Sequence, residues 1–253
     1  MLHHLLRRFV PALLVLAAAA PLSAAEPSII NRARAYLGGE AALNAVHTLH
    51  YHGTLELPDA PPENQIGPIA VEIIFQKPFR QRSVIPSARG TEITVLDEYD
   101  GWQRVEAADD PSRWTLVLLK TDQIKSLRAN VWENLAFFRG LETAGGSLED
   151  LGRATVDGVV CRKLAFIHSP DVTFYRYFDE SSGRLVLTET KRGESIREEG
   201  YLEVNGIKFP RVLVTETTQP DGSRRTVRIT FERVTVNTPV AESLFAMPPL
   251  ISP

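Results

Sequence analysis

Residues 47–57 read HTLHYHGTLEL, and within them the hydrophobic period of the chain changes. Upstream, SIINRARAYLGG at residues 28–39 sets Ile29, Ile30, Ala33, Tyr36 and Leu37 at helical spacing, with Ser28 placed to cap the start and Gly38 and Gly39 placed to stop it. EAALNAV offers a second short helical piece. From Leu49 the period is two: Leu49, Tyr51, Leu55 and Leu57 share one face, and His50, His52, Thr54 and Glu56 share the other. The stretch therefore opens a half-buried strand whose apolar set faces a core, leaving His50 and His52 towards water about 7 Å apart. Two imidazoles hold a metal only with a third ligand from elsewhere. No HExxH, CxxC or aspartate-rich loop supplies one, so the sequence assigns neither a metal nor any other cofactor. His47 falls in the turn before the strand.

The rest of the chain repeats this grammar. IAVEIIFQK runs up to Pro78, RQRSVI follows, TEITVLDEY is expected to end in a turn at Asp100-Gly101, and WQRVEA and WTLVLLK come next. In the second half, strand-like runs alternate with turn signals at Asp157-Gly158, DESSG, Asn205-Gly206 and PDGS. Asp-Gly and Asn-Gly pairs mark tight hairpins because both central residues take positive φ. About eleven strands in one antiparallel meander are expected. One segment departs from the pattern: in KTDQIKSLRANVWENLAFFRGL, Ile124, Leu127, Val131, Leu135 and Phe138 recur at three and four, and Gly140 ends the run. That is an amphipathic helix of about four turns. The expected fold class is mainly β (α+β), a long curved antiparallel sheet with two or three helices, since so large a sheet must hide one face and apolar helices can hide it.

Residues 1–25 read as a signal peptide. Arg7 and Arg8 precede FVPALLVLAAAA, and PLSAA supplies the small residues of a cleavage site near Ala25. The apolar run is shorter than the ~20 residues of a membrane span, so a periplasmic protein that is not an integral membrane protein is expected, with residues 26–253 as a single domain. Cys161 is the only cysteine, which rules out an internal disulfide; within VVCRKLAFI it reads as a small buried hydrophobe. Loss of the leader removes two arginines and no acid, leaving 26 basic and 31 acidic side chains, a net charge of −5. No nucleic-acid footprint is present. No catalytic set is legible either: GxSxG is absent, His168 beside SPD reads as an exposed turn, and pairs such as Glu198-Glu199 and Asp109-Asp110 read as solvated faces. The chain is therefore not expected to be an enzyme.

Several stretches, in order, carry a family likeness. They are the helix-GG-helix start before HTLHYHGTLEL, FQKPFRQRSVI leading to YDGWQRV, VDGVVCRKLAFI, YRYFDESSGRLVL, VNGIKFPRVLV and NTPVAESLFAMPP. This series resembles the outer-membrane lipoprotein-sorting proteins, relatives of the LolA-type periplasmic carriers. The resemblance implies an unclosed β-barrel whose concave side is covered by a helical lid, with a cavity for lipid or for the acyl chains of a lipoprotein passed from an inner-membrane donor to an outer-membrane acceptor. On that reading the lipid-contacting set is Tyr51, Leu55, Val71, Ile73 and Phe75 on the early strands, with Leu127, Val131, Leu135 and Phe138 on the lid helix. The carriers' lid-latching arginine corresponds here to Lys77, before Pro78, which lacks the planar fork of a guanidinium; Arg80 and Arg82 are the alternatives. A periplasmic sensor or regulator on the same sheet is the rival reading.

Overall fold

A computed structural model describes residues 27–60, 67–87 and 90–249. The expected signal peptide and cleavage site lie outside these residues. Helices α1 (Ser28–Leu37) and α2 (Glu40–Asn44) lead into β1 (Thr48–Glu56), β2 (Ile69–Gln76), β3 (Arg80–Ser87), β4 (Gly90–Asp97), β5 (Asp100–Ala107) and β6 (Trp114–Leu118). After α3 (Thr121–Leu135) come β7 (Ser147–Val156), β8 (Val159–Ser169), β9 (Val172–Asp179), β10 (Leu185–Thr190), β11 (Glu194–Val204), β12 (Ile207–Thr218) and β13 (Arg224–Val236).

Among the described residues, all thirteen strands form one sheet in the order β6-β5-β4-β3-β2-β1-β13-β12-β11-β10-β9-β8-β7. Every neighbouring pair is antiparallel. The expected half-barrel is thus present, with thirteen strands among the described residues where about eleven were expected. The ends of the meander, β1 and β13, pair in the middle, while β6 and β7 are the two free edges. The chain passes from one edge to the other through α3, so this topology carries α3 across the concave face. The lid position follows from connectivity.

Local chemistry explains most element ends. Asp157-Gly158 and Asn205-Gly206 take positive φ at both residues, as tight hairpins require. The turn expected at Asp100-Gly101 instead lies at Glu98-Tyr99: Glu98 has φ 57°, Asp97 pairs with Asp100, and Gly101 is inside β5. A Cβ at Gly101 would stand 2.8 Å from the Leu119 side chain and 3.1 Å from the Val95 carbonyl oxygen, so a larger residue there requires Leu119 to shift. Ser28 is the first helical residue and not a cap, since Pro27 occupies that place and no side chain caps the helix.

The core is layered on both faces of the sheet. On the concave side, Leu49, Tyr51, Phe75, Leu96, Phe209 and Phe231 pack beneath Val131 and Leu135 of α3. A second concave cluster joins Ile30 and Ala33 of α1 to Trp132, Phe138, Leu164, Phe166 and Phe178. The sequence expectation hid one face only. The structure also buries Ile74, Ile93, Val95 and Trp102 on the convex face, under Phe245 of the C-terminal segment. Cys161 is fully buried with Val156, Tyr177, Val186 and Leu187, and burial pushes its thiol pKa up, as expected of a packing residue.

Candidate functional site

α3 ends sooner than its periodicity predicts. The helix stops at Leu135, and Phe137 and Phe138 take φ of 48° and 73°, a left-handed conformation unusual for bulky residues. The reversal sends consecutive phenylalanines into different concave clusters, Phe137 beside Phe209 and Phe138 beside Phe178. Phe138 therefore lies beyond the helix on which it was expected.

Arg34 of α1 holds this reversal. It is 1% exposed, and each of its five N–H groups has an acceptor. Nη1 donates to the carbonyls of Ala136 (3.0 Å) and Phe137 (2.8 Å), Nε and Nη2 donate to the Glu40 carboxylate (2.8 and 2.9 Å), and Nη2 also reaches Asn44 Oδ1 (2.8 Å). Arg139 adds a second ion pair to Glu40 at 2.7 Å. These contacts, Arg34's first among them, hold the Glu40 carboxyl below the usual range. The expected latch residue, Lys77, is half-buried in the adjoining cleft with Arg34 and Ala136. Desolvation, and then the Arg34 charge, depresses its ammonium pKa. The lid carbonyls accept from Arg34 and not from Lys77. Arg80 and Arg82 are on the convex side, paired with Asp97 at 2.7 Å and Glu72 at 3.0 Å.

Beside this clamp, between α1, the end of α3 and strands β9–β12, lies a cavity of about 260 Å³. Tyr36 and Leu37 of α1 form one wall, Asn130, Glu133 and Asn134 of α3 with Phe137 and Phe138 form another, and Leu185, Thr188, Ile196, Phe209 and Leu213 form the floor. Tyr51 contributes a phenol whose pKa is raised by burial and then by the Glu198 charge. Near Tyr36 and the exposed Tyr201, Lys208 Nζ stands 4.3 and 5.3 Å from the two ring centroids.

One part of the lining is ionic. Glu133 Oε1 is 2.6 Å from His168 Nε2, and the Glu133 carboxylate also pairs with Arg176 Nη2. All three side chains are at least nine-tenths buried. Arg176 stacks on Phe138 and Phe166, 4.8 and 5.0 Å from their centroids, and its Nε and Nη1 are buried without a hydrogen-bond partner. Glu198 keeps accessible surface towards the cavity but is enclosed deeply enough that desolvation pushes its carboxyl up, against the pull of Arg176 and Arg184. One sequence expectation is corrected here: His168 is a nearly buried strand residue and not an exposed turn. Glu198 is exposed and also lines the cavity.

Of the nine residues expected to contact lipid, Tyr51 and Phe138 line the cavity. Phe75, Val131 and Leu135 are buried in the packed concave cluster, with Ile73 and Leu127 against it; Val71 is buried on β2 and Leu55 is half-buried on β1. Ile73, Phe75, Leu127, Val131 and Leu135 thus pack in the concave core beside α3, and the cavity lies further along, under β9–β12. Sequence reading missed Arg34, Glu133, Arg176 and Lys208. The signal for Arg176 was available: in FYRYF, residues 174–178, it falls on the same parity as Phe174 and Phe178, a charge on an inward face.

An unclosed antiparallel sheet, crossed by a connecting helix and holding a cavity on its concave side, defines the LolA-like half-barrel class of fold. Solved structures agree. A LolA superfamily protein from Nitrosomonas europaea matches with a TM-score of 0.57 at 13% identity, over 87% of this chain and 96% of that one. A putative outer membrane lipoprotein-sorting protein domain from Vibrio parahaemolyticus matches at 0.54 and 11%, over 86% and 94%. A DUF1329 family protein from Desulfovibrio piger matches at 0.53 and 12%, over 87% and 96%. No protein-family model and no curated protein sequence matches the chain. Among the described residues, no helix is long and apolar enough to cross a membrane.

Proposed function

We propose that this protein is a periplasmic carrier or binding protein that takes one acyl chain, of a lipid or an acylated lipoprotein, non-covalently into the cavity between α1, α3 and β9–β12. The observation that carries the reading is the cavity: about 260 Å³ on the concave side, walled by aromatic and aliphatic side chains together with the ionic stretch at Glu133, Arg176 and Glu198. That volume is just below the ~300–1,000 Å³ of pockets that enclose drug-sized ligands. It suits one slender chain, whereas a multiply acylated anchor requires α3 to move. The apolar stretch in residues 1–25 supports export.

Burying ten methylenes contributes ~8 kcal/mol at ~0.8 each. That corresponds to roughly micromolar affinity before ordering costs are subtracted. Such binding is loose enough for release to an acceptor. Tyr36, Tyr201 and Lys208 frame the side where Tyr201 is exposed, and there a carboxylate or phosphate would meet the Lys208 ammonium.

Fluorescent fatty-acid binding tests the proposal. Ile196→Trp and Leu213→Trp place bulk in the cavity without touching the Arg34 clamp, and each is expected to weaken binding at least tenfold with little change in melting temperature. Full binding by both folded variants would overturn the cavity assignment. Lipids extracted from detergent-free protein would identify the cargo.

A further inference from the structure

The histidines of residues 47–57 acquire in three dimensions the partner that their sequence lacks. β1 and β2 pair in a register that sets His52 opposite Glu72 and His50 opposite Ile74. By the alternation of the pleat, His50, His52 and Glu72 project from the same convex face, away from the cavity. Their ring nitrogens and carboxylate oxygen lie within 4.8 Å of one another. His50 Nε2 is 2.7 Å from Glu72 Oε1, and the two imidazole centroids are 4.1 Å apart.

From this geometry we infer that His50, His52 and Glu72 form a binding site for one late divalent transition-metal ion, with Zn²⁺ as its natural probe. Tetrahedral coordination with bonds of ~2.0–2.1 Å sets ligand atoms about 3.3 Å apart. His50 Nε2 and Glu72 Oε1 now stand closer than that, at 2.7 Å, so the metal-bound state requires these two to separate and His52 to turn inward. Two imidazoles and a carboxylate leave a fourth position to solvent, since all three residues are half-buried.

Neighbouring groups narrow the ion. Arg82 Nη1 donates to Glu72 Oε2 at 3.0 Å, fixing the carboxylate so that Oε1 faces the histidines, which is the orienting role of an outer-shell partner. Arg233 is paired opposite His52 on β13. Two guanidiniums so close oppose any ion held by charge alone, which disfavours Ca²⁺ and Mg²⁺. Zn²⁺, Ni²⁺ and Cu²⁺ gain from imidazole nitrogen and follow the ordinary ranking of nitrogen-rich sites.

The untagged, chelator-treated protein, titrated with Zn²⁺ against a zinc-sensitive dye, tests the site. One Zn²⁺ per chain is expected, with no response to Ca²⁺. His50→Ala and His52→Ala are each expected to lower affinity by more than the ~10–100-fold that loss of an outer-shell partner costs, and Arg82→Ala by about that amount, while far-ultraviolet circular dichroism stays unchanged. His47→Ala, in the exposed turn, is expected to keep the wild-type affinity. Absence of saturable Zn²⁺ binding, equal affinity after His52→Ala, or an equal loss in His47→Ala would each overturn the assignment. Because the triad is on the face opposite the cavity, its failure leaves the lipid reading untouched.

Discussion

At the scale of single residues, Arg34 decides more than any apolar side chain. A buried guanidinium is costly unless all its donors are matched, and here five acceptors match them. Lysine at this position has three donors and no planar fork, so it cannot meet the Ala136 and Phe137 carbonyls, Asn44 and both Glu40 oxygens together. Since each unmet buried group costs ~1–3 kcal/mol, Arg34→Lys is expected to destabilise the protein by about 3 kcal/mol in urea melts at pH 7. The pH dependence follows from Glu40, whose carboxyl is held low by the clamp. A depressed carboxyl contributes stability above its unfolded value and loses it as pH falls through the folded one. The gap between wild type and Arg34→Lys is therefore expected to narrow below about pH 4. A gap that widens on acidification would contradict the ionic role of Glu40.

At the scale of elements, α3 is a strap fastened at its middle and just past its C-terminal end. Arg34 takes the carbonyls of Ala136 and Phe137. At the middle of the helix, Arg128 donates to the Glu98 carbonyl at 2.7 Å and stacks over Phe79 and Tyr99, 3.9 and 4.2 Å from their centroids. Between the fastenings, Asn130 donates to Gln81 at 3.1 Å, while Val131 and Leu135 are embedded in the core. Removing Arg128 forfeits a charge-assisted hydrogen bond and two ring contacts, roughly 2 kcal/mol together. Arg128→Ala is accordingly expected to speed hydrogen exchange of the middle turns of α3 by about thirtyfold and to leave the Arg34 end unchanged. Uniform acceleration along α3 would mean that the helix opens as one piece. Aspartate at Val131 or Leu135 would probe core packing and not ligand uptake, because both are sealed from the cavity.

For the whole molecule, the convex layer is the part least visible from the chain. Phe245, 1% exposed, plugs the face formed by Ile74, Ile93, Val95 and Trp102, and its carbonyl accepts from Trp102 Nε1 at 3.3 Å. Phe245→Ala is expected to cost about 3 kcal/mol of stability, measured by urea denaturation, with fatty-acid affinity unchanged below the transition. A matching loss of affinity would show that the two faces are coupled through the sheet.

The change of period at Leu49, the Asn-Gly and Asp-Gly turns and the apolar spacing of residues 124–138 determined a curved antiparallel sheet with a crossing helix, because backbone sterics and alternation act within a few residues. The same alternation placed Tyr51 inward and His50 outward. The tertiary structure alone decided that the early strands pack against α3 while a cavity lies under β9–β12, that Arg34 rather than Lys77 holds the lid carbonyls, and that Glu72 stands beside His50 and His52. Each of these depends on which distant strands and helices meet. A register between strands, or a void between layers, is a property of two surfaces together, and spacing along one strand cannot encode it.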